Sequence, residues 1–184
     1  MSSSFSRTPI SHDGNWPWVR LALGVAIAVL TVYIVTLAPG LSFQHHGTDG
    51  GDLIAAAKTL GVPHPSGYPT YTLAAWIFTY LPFGSIAYRV NLFSAVSAAA
   101  TAGLLCLCML LLLPRHAHAP LVAASTALVF AFSPLVWSQA VISEVHTLNA
   151  LFAAIVLFLV LRWGAGASDS PLYLAALTLG VGLG

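Results

Sequence analysis

Three of the five acidic side chains in this 184-residue chain stand where they could do chemistry: Asp49, Asp52 and Glu144. Asp49 and Asp52 flank Gly50 and Gly51. Three residues apart, the two carboxylates would share one face of a helical turn, and the glycines allow close approach of a ligand. A carboxylate presented in this way can serve as a general base or a metal ligand. The spacing is met equally well by a local role, with Asp52 as N-cap of a short helix from Leu53 to Leu60 and Asp49 in the turn before it.

Glu144 interrupts the run SPLVWSQAVISEVHTLNALF, residues 133–152. An ionisable group between two membrane-length runs is costly, which points to function; the structural alternative is a loop carboxylate where two spans meet. Gln139, Ser143 and His146 recur at intervals of four and then three. A continuous helix would gather them into a polar stripe, with Glu144 off it unless the helix breaks there. His64 lies in the turn-forming run Val62-Pro63-His64-Pro65-Ser66-Gly67-Tyr68-Pro69 and could contact an anion or be an ordinary loop histidine. Arg89 could pair with a phosphate or snorkel from the start of a span. His45 and His46 are a weak metal signal without further ligands. No P-loop, dinucleotide fingerprint or Ser-His-Asp order is present.

The elements that must position these groups are membrane helices. Hydrophobic residues make up 58% of the chain, charged ones 6%, and the mean hydropathy is +0.88, against about 25% charged residues in an ordinary globular domain. No charge falls between Arg20 and Asp49, Arg89 and Arg115, Arg115 and Glu144, or Glu144 and Arg162. Each gap holds an apolar run near the roughly 20 residues that cross a bilayer. The expected class is an all-α, polytopic transmembrane protein. Its spans are expected over about 19–38, 90–113, 121–138 and 146–162, with a fifth starting at 171 and stopping after about 14 residues. Residues 1–17 read as a tail, 18–184 as the membrane domain and 39–89 as a long outer loop. The chain is therefore expected to be the N-terminal part of a longer protein. The apolar run over residues 21–38 is too long for a signal-peptide core and is followed by further spans, so it reads as a retained helix. Cys106 and Cys108 lie inside a span and read as inert thiols. With a net charge of +1 and no basic cluster, no nucleic-acid partner is expected.

Pro69 and Pro82 confine the apolar segment between them to about 12 uninterrupted residues, the length of an interfacial or re-entrant helix rather than a span. If it does not cross, Asp49, Asp52, Arg89 and Glu144 share one face. Arg7, Arg20, Arg115 and Arg162 share the other. The positive-inside rule then puts the arginine-rich face and the N-terminus in the cytoplasm, leaving Lys58 and Arg89 outside with the acids.

Three motifs in order carry a family resemblance: TLAPGLSFQHHGTDGGDLIAAAKTLGVPHPSGYPTY, LPFGSIAYRVNLFSA and SPLVWSQAVISEVHTLNALF. Over about residues 32–163 the chain resembles the polytopic family first catalogued as a domain of unknown function and now grouped with protein O-mannosyltransferases. That group is a branch of the C-type glycosyltransferase superfamily. The family's usual Asp-Ser-Gly-Glu is here Asp49-Gly50-Gly51-Asp52, and His146 stands where the last motif usually has Tyr. The resemblance implies an outer loop with helices lying along the membrane, and an inverting enzyme that takes a sugar such as mannose from a polyprenyl-phosphate carrier. The acceptor would be a protein hydroxyl or a glycan on the extracytoplasmic face. Asp49 would be the catalytic base, Asp52 would support it or help bind a divalent ion, and Glu144 would complete the acidic cluster. Asp49 and Glu144 would bind any divalent ion, and His64, Arg89 and His146 would bind substrate. The bilayer, the lipid-linked donor and the acceptor are the expected partners, and a bacterial inner membrane the expected location. The competing class is a transporter or flippase of lipid-linked sugars, whose signature is discontinuous helices with polar groups at the bilayer midplane, often in repeated halves.

Overall fold

The computed structural model describes residues 16–44, 47–65, 67–166 and 168–183. Among them the chain forms eight helices and no strand: α1 (Trp16–Thr36), α2 (Gly50–Thr59), α3 (Pro69–Phe78), α4 (Ile86–Leu112), α5 (Ala119–Ala131), α6 (Pro134–Ala140), α7 (His146–Gly164) and α8 (Ser170–Leu183). The all-helical, polytopic class expected from the sequence is what is observed. Three helices, α1, α4 and α7, are long and apolar enough to cross a membrane. His45, His46 and the tail up to residue 15 lie outside the described residues, and α1 already begins at Trp16.

The run expected as one span over 121–138 is two helices. α5 and α6 meet at 65°. Pro134 opens α6 and Ser133 before it is extended, with φ −61° and ψ 141°. Proline has no N–H to continue a helix and drives its predecessor out of the α region, so the helix stops and restarts in a new direction. Hydropathy alone does not register that break.

α4, 27 residues long, is the central column. It starts cleanly because the Ser85 hydroxyl accepts the Tyr88 N–H at 3.1 Å. It packs on α1, α5 and α7. In lipid no hydrophobic force draws helices together, so association rests on close fit of small residues. Ala119, Ala123, Ala127 and Ala131 recur every fourth position of α5 and are all buried. The last three meet Ala95, Ala98, Ala99 and Ala102 of α4 and Ala22, Val25 and Val29 of α1 in one core. Gly103 marks the closest approach. A Cβ there would stand 3.1 Å from the Ala22 carbonyl oxygen and 3.2 Å from the Ala26 Cβ.

α2 and α3 have 10 residues each and rise about 15 Å, half of the hydrocarbon thickness. Leu53 and Ala57 of α2 and Tyr71 and Ala75 of α3 are buried against Val90 and Phe93 of α4, Val145 just before α7, and Leu148 of α7. The loop after α1 lies beside the start of α4, where the Asn91 amide donates to the Ala38 and Gly40 carbonyls at 2.9 and 3.0 Å. The chain therefore leaves α1 and returns to α4 at the same end of the bundle. Arg115 and Arg162 lie with Trp18 at the other end.

A valine at Gly103 is expected to destabilise the protein by about 1–3 kcal/mol through overpacking. Gly24→Val, where an added Cβ would meet no atom within 4 Å, is expected to be near neutral. Thermal unfolding of the two variants in the same detergent measures the difference.

Candidate active site

The site begins with α2. It starts at Gly50, with Asp49 at the N-cap position in αR geometry and making no side-chain cap bond. The alternative in which Asp52 caps a helix beginning at Leu53 is thereby corrected. Asp52 sits inside the first turn, and the Asp49 carboxylate makes no cap bond to the helix end; the Thr48 hydroxyl donates to it at 3.3 Å. Gly50 is buried against Ser143, where a Cβ would stand 3.5 Å from the carbonyl oxygen. This fixes the α2 start beside the Glu144 loop.

Asp52 organises the loop that follows. Its Oδ2 accepts the backbone N–H of His64 at 2.8 Å and lies 3.0 Å from His64 Nδ1. These contacts, the backbone bond first, hold the Asp52 carboxyl below its ordinary range. The other ring nitrogen, Nε2, then faces Asp49 Oδ2 at 3.7 Å. His64 therefore bridges the two aspartates, instead of standing alone as a loop histidine, and its ring rests edge-on against Tyr68 at 5.6 Å.

Glu144 belongs to the break between α6 and α7, so no continuous helix carries Gln139, Ser143 and His146 as a stripe. It is buried, at 6% exposure. Two contacts from α4 hold this break. Glu144 N–H donates to the Ser94 hydroxyl at 3.2 Å, and the Ser143 hydroxyl donates to Asn91 Oδ1. Desolvation raises the Glu144 carboxyl above its ordinary range and the Asp49 charge adds to the rise, while His146, the Val145 N–H and His64 oppose it.

Asp49, Glu144 and His146 line one cavity of about 570 Å³, whose remaining wall is mostly apolar and includes Ala98, Phe130, Leu135 and Val136. Its size is that of a small-molecule site. Asp52 and His64 join this group through Asp49. Arg89 does not: its guanidinium donates to the carbonyls of Thr79, Phe83 and Gly84 at 2.7, 2.6 and 2.9 Å. Each of its three nitrogens bonds one carbonyl and ties the end of α3 to the start of α4, so Arg89 stands apart from the cavity that Asp49, Glu144 and His146 line. Among the described residues no three His, Cys, Asp or Glu side chains form a metal-binding group. The two carboxylates instead match the number Mg²⁺ takes when water and substrate phosphates fill its remaining positions.

The sequence reading passed over Asn91 and Ser94, the residues that fix the Glu144 loop. Their signal was present. Both are polar, lie three apart in a span and fall inside the motif LPFGSIAYRVNLFSA.

Residues 49–184 match the family described as the protein O-mannosyl-transferase TMEM260 N-terminal domain. The chain belongs to this family. Protein O-mannosyl-transferase TMEM260 of Mus musculus is 40% identical over 155 residues, covering 82% of this chain and 21% of the mouse protein. Protein O-mannosyl-transferase tmem260 of Dictyostelium discoideum is 32% identical over 136 residues, covering 72% of this chain and 16% of the relative. The chain thus spans about a fifth or less of the length of these curated relatives. Both are eukaryotic, which does not fit the expected bacterial inner membrane. No solved structure matches. The TMEM260 match begins at Asp49, the first acid of the site.

Replacing Asn91 with Leu leaves the Ala38 and Gly40 carbonyls and the Ser143 hydroxyl without their partner. A loss of about 1–3 kcal/mol for each buried group left unpaired is expected. Asn149→Leu, at an exposed position of α7, is expected to stay within about 0.5 kcal/mol. Thermal unfolding of both variants compares them.

Proposed function

We propose that this chain carries the donor site and catalytic base of an integral membrane mannosyltransferase. In this reading it moves the sugar from a polyprenyl-phosphate carrier to an acceptor hydroxyl, on a protein or a glycan, at the extracytoplasmic face. The observation that carries the proposal is the convergence of Asp49, Glu144 and His146 on one cavity with an apolar wall. Such a cavity offers the lipid a hydrocarbon surface and the sugar phosphate a polar end. The names of the mouse and Dictyostelium relatives support the reaction class.

In the proposed step, the acceptor O–H gives its proton to Asp49 as its oxygen bonds to the anomeric carbon. The bond from that carbon to the phosphate oxygen breaks on the opposite face, which inverts the centre and leaves the polyprenyl phosphate. Asp49 is suited to the role because no helix cap ties down its carboxylate, and the cavity beside it admits the acceptor. Asp52 is a positioning residue acting through His64, which lies beside Asp49. His146, the first residue of α7, would meet the donor phosphate at a helix N-terminus, where the backbone favours negative charge. Glu144 keeps a carboxylate inside the cavity. Asp49 and Glu144 would hold a divalent ion, which when bound would offset the phosphate charge.

The transporter reading gains one observation, the discontinuous α5–α6 pair, since broken helices build many transport sites. The acids, however, lie at helix ends.

Transfer of labelled mannose from polyprenyl-phosphate mannose, in membranes carrying the intact protein, tests the proposal. Asp49→Asn is expected to lower kcat by about 10²–10⁴-fold, the contribution of a well-placed base, at unchanged expression. Asp52→Asn is expected to cause a smaller loss. Transfer by wild type that survives undiminished in Asp49→Asn would remove Asp49 from the role of base. Carrier movement across the membrane without transfer would favour the transporter.

A further inference from the structure

We propose that the opposite end of the bundle holds a second site, a seat for the phosphate headgroup of an anionic membrane lipid built by Arg115 and Arg162. A cavity of about 520 Å³ opens where α1 and α5 begin and α4 and α7 end. Arg115, from the α4–α5 connection, and Arg162, in the last turn of α7, both line it. Neither guanidinium makes a hydrogen bond or an ion pair with a described residue. Arg89 shows the contrast, with its nitrogens spent on three carbonyls.

Two cations from separate elements that line one cavity favour an anion placed between them. The cavity supplies two further features that suit one. α5 opens onto it through Ala119, and the N-cap position, His118, provides no side-chain cap; such a helix start favours negative charge. Leu110 and Phe158 give the cavity an apolar wall, with Trp18 also lining it, and tryptophan is characteristic of the membrane interface. Forked guanidinium groups match phosphate oxygens, and the apolar wall matches the chains attached to a lipid headgroup. A free phosphate would leave that wall unused. Arginines that merely mark a membrane face have no need of a shared cavity. Arg20 illustrates this: it is exposed at the same end, as Arg115 is, but lies outside the cavity lining. Basic crevices between helix ends at the cytoplasmic side are suited to anionic headgroups for these reasons. The site is separate from the acid cluster and does not depend on the proposed transfer reaction.

The intact protein, purified in mild detergent, would be titrated with dioleoyl phosphatidylglycerol, dioleoyl phosphatidylcholine and inorganic phosphate, with bound ligand followed by native mass spectrometry. The anionic lipid is expected to bind about tenfold or more tighter than the zwitterionic one, the order expected for two basic side chains at an anionic headgroup. Arg115→Gln with Arg162→Gln is expected to abolish that preference, and Arg20→Gln to preserve it. Arg115→Lys with Arg162→Lys retains the charge and is expected to keep most of the preference, which separates a lost site from a lost fold. Equal binding of the two lipids by wild type, or a preference that survives in the paired Gln variant, would overturn the proposal. Inorganic phosphate binding as tightly as the anionic lipid would also overturn it, by reassigning the seat to a free anion.

Discussion

A single buried amide holds the acidic end of this bundle together. Asn91, one turn into α4, donates to two carbonyls of the loop after α1 and accepts from Ser143 beside Glu144. In hydrocarbon a backbone group without a partner costs several kcal/mol, so irregular chain can exist at this depth only where such partners are supplied. Asn91 and Ser94 supply them to both irregular segments at once. The loop that leads to Asp49 and the loop that contains Glu144 are therefore positioned by one helix turn, and the two carboxylates face one cavity. Two direct contacts join the same segments: the Ala38 N–H donates to the Val141 carbonyl at 3.0 Å, and Gly50 packs on Ser143.

The rest of the fold gives Asn91 a rigid column to stand on. α4 can approach α1 and α5 closely because alanine and glycine line their contact, and a close fit is what stabilises helices in lipid. Polar chemistry is segregated to the two ends. Asp49, Asp52, Glu144, His64 and His146 gather where α4 begins, and Arg115 and Arg162 gather where it finishes, the end at which Asp169 also lies. The positive-inside rule counts Lys and Arg alone, and on that count the sequence leads one to expect the acidic end on the extracytoplasmic side.

Much of this could be read from residues alone. Charge-free runs located α1, α4 and α7, and Pro69 with Pro82 bounded the short α3. The family resemblance rested on the motifs that carry Asp49, Arg89 and Glu144, and the match to the TMEM260 N-terminal domain agrees with it. Other features were lost to specific causes. The α5–α6 bend follows from Pro134, whose effect on direction hydropathy averages away. The Asp52–His64 clamp joins residues twelve apart, across a loop whose path no periodicity describes. The charge of Arg89 is visible in sequence, whereas the three carbonyls it bonds between α3 and α4 are not. Asn91 was overlooked because a lone amide in an apolar helix resembles a tolerated exception.

The central claim is that α2 and α3 return to the end they left, so that Asp49 and Glu144 share one membrane face opposite Arg115 and Arg162. Single cysteines at exposed positions test it most directly, with Cys106 and Cys108 replaced by alanine. Thr48→Cys and His146→Cys would report the acidic end, and His116→Cys and Ser168→Cys the arginine end. An impermeant maleimide added to sealed microsomes is predicted to label positions 116 and 168, and to reach 48 and 146 only after the membrane is permeabilised. Positions 48 and 146 labelling from opposite sides would contradict the account, because the two acids could not then belong to one site.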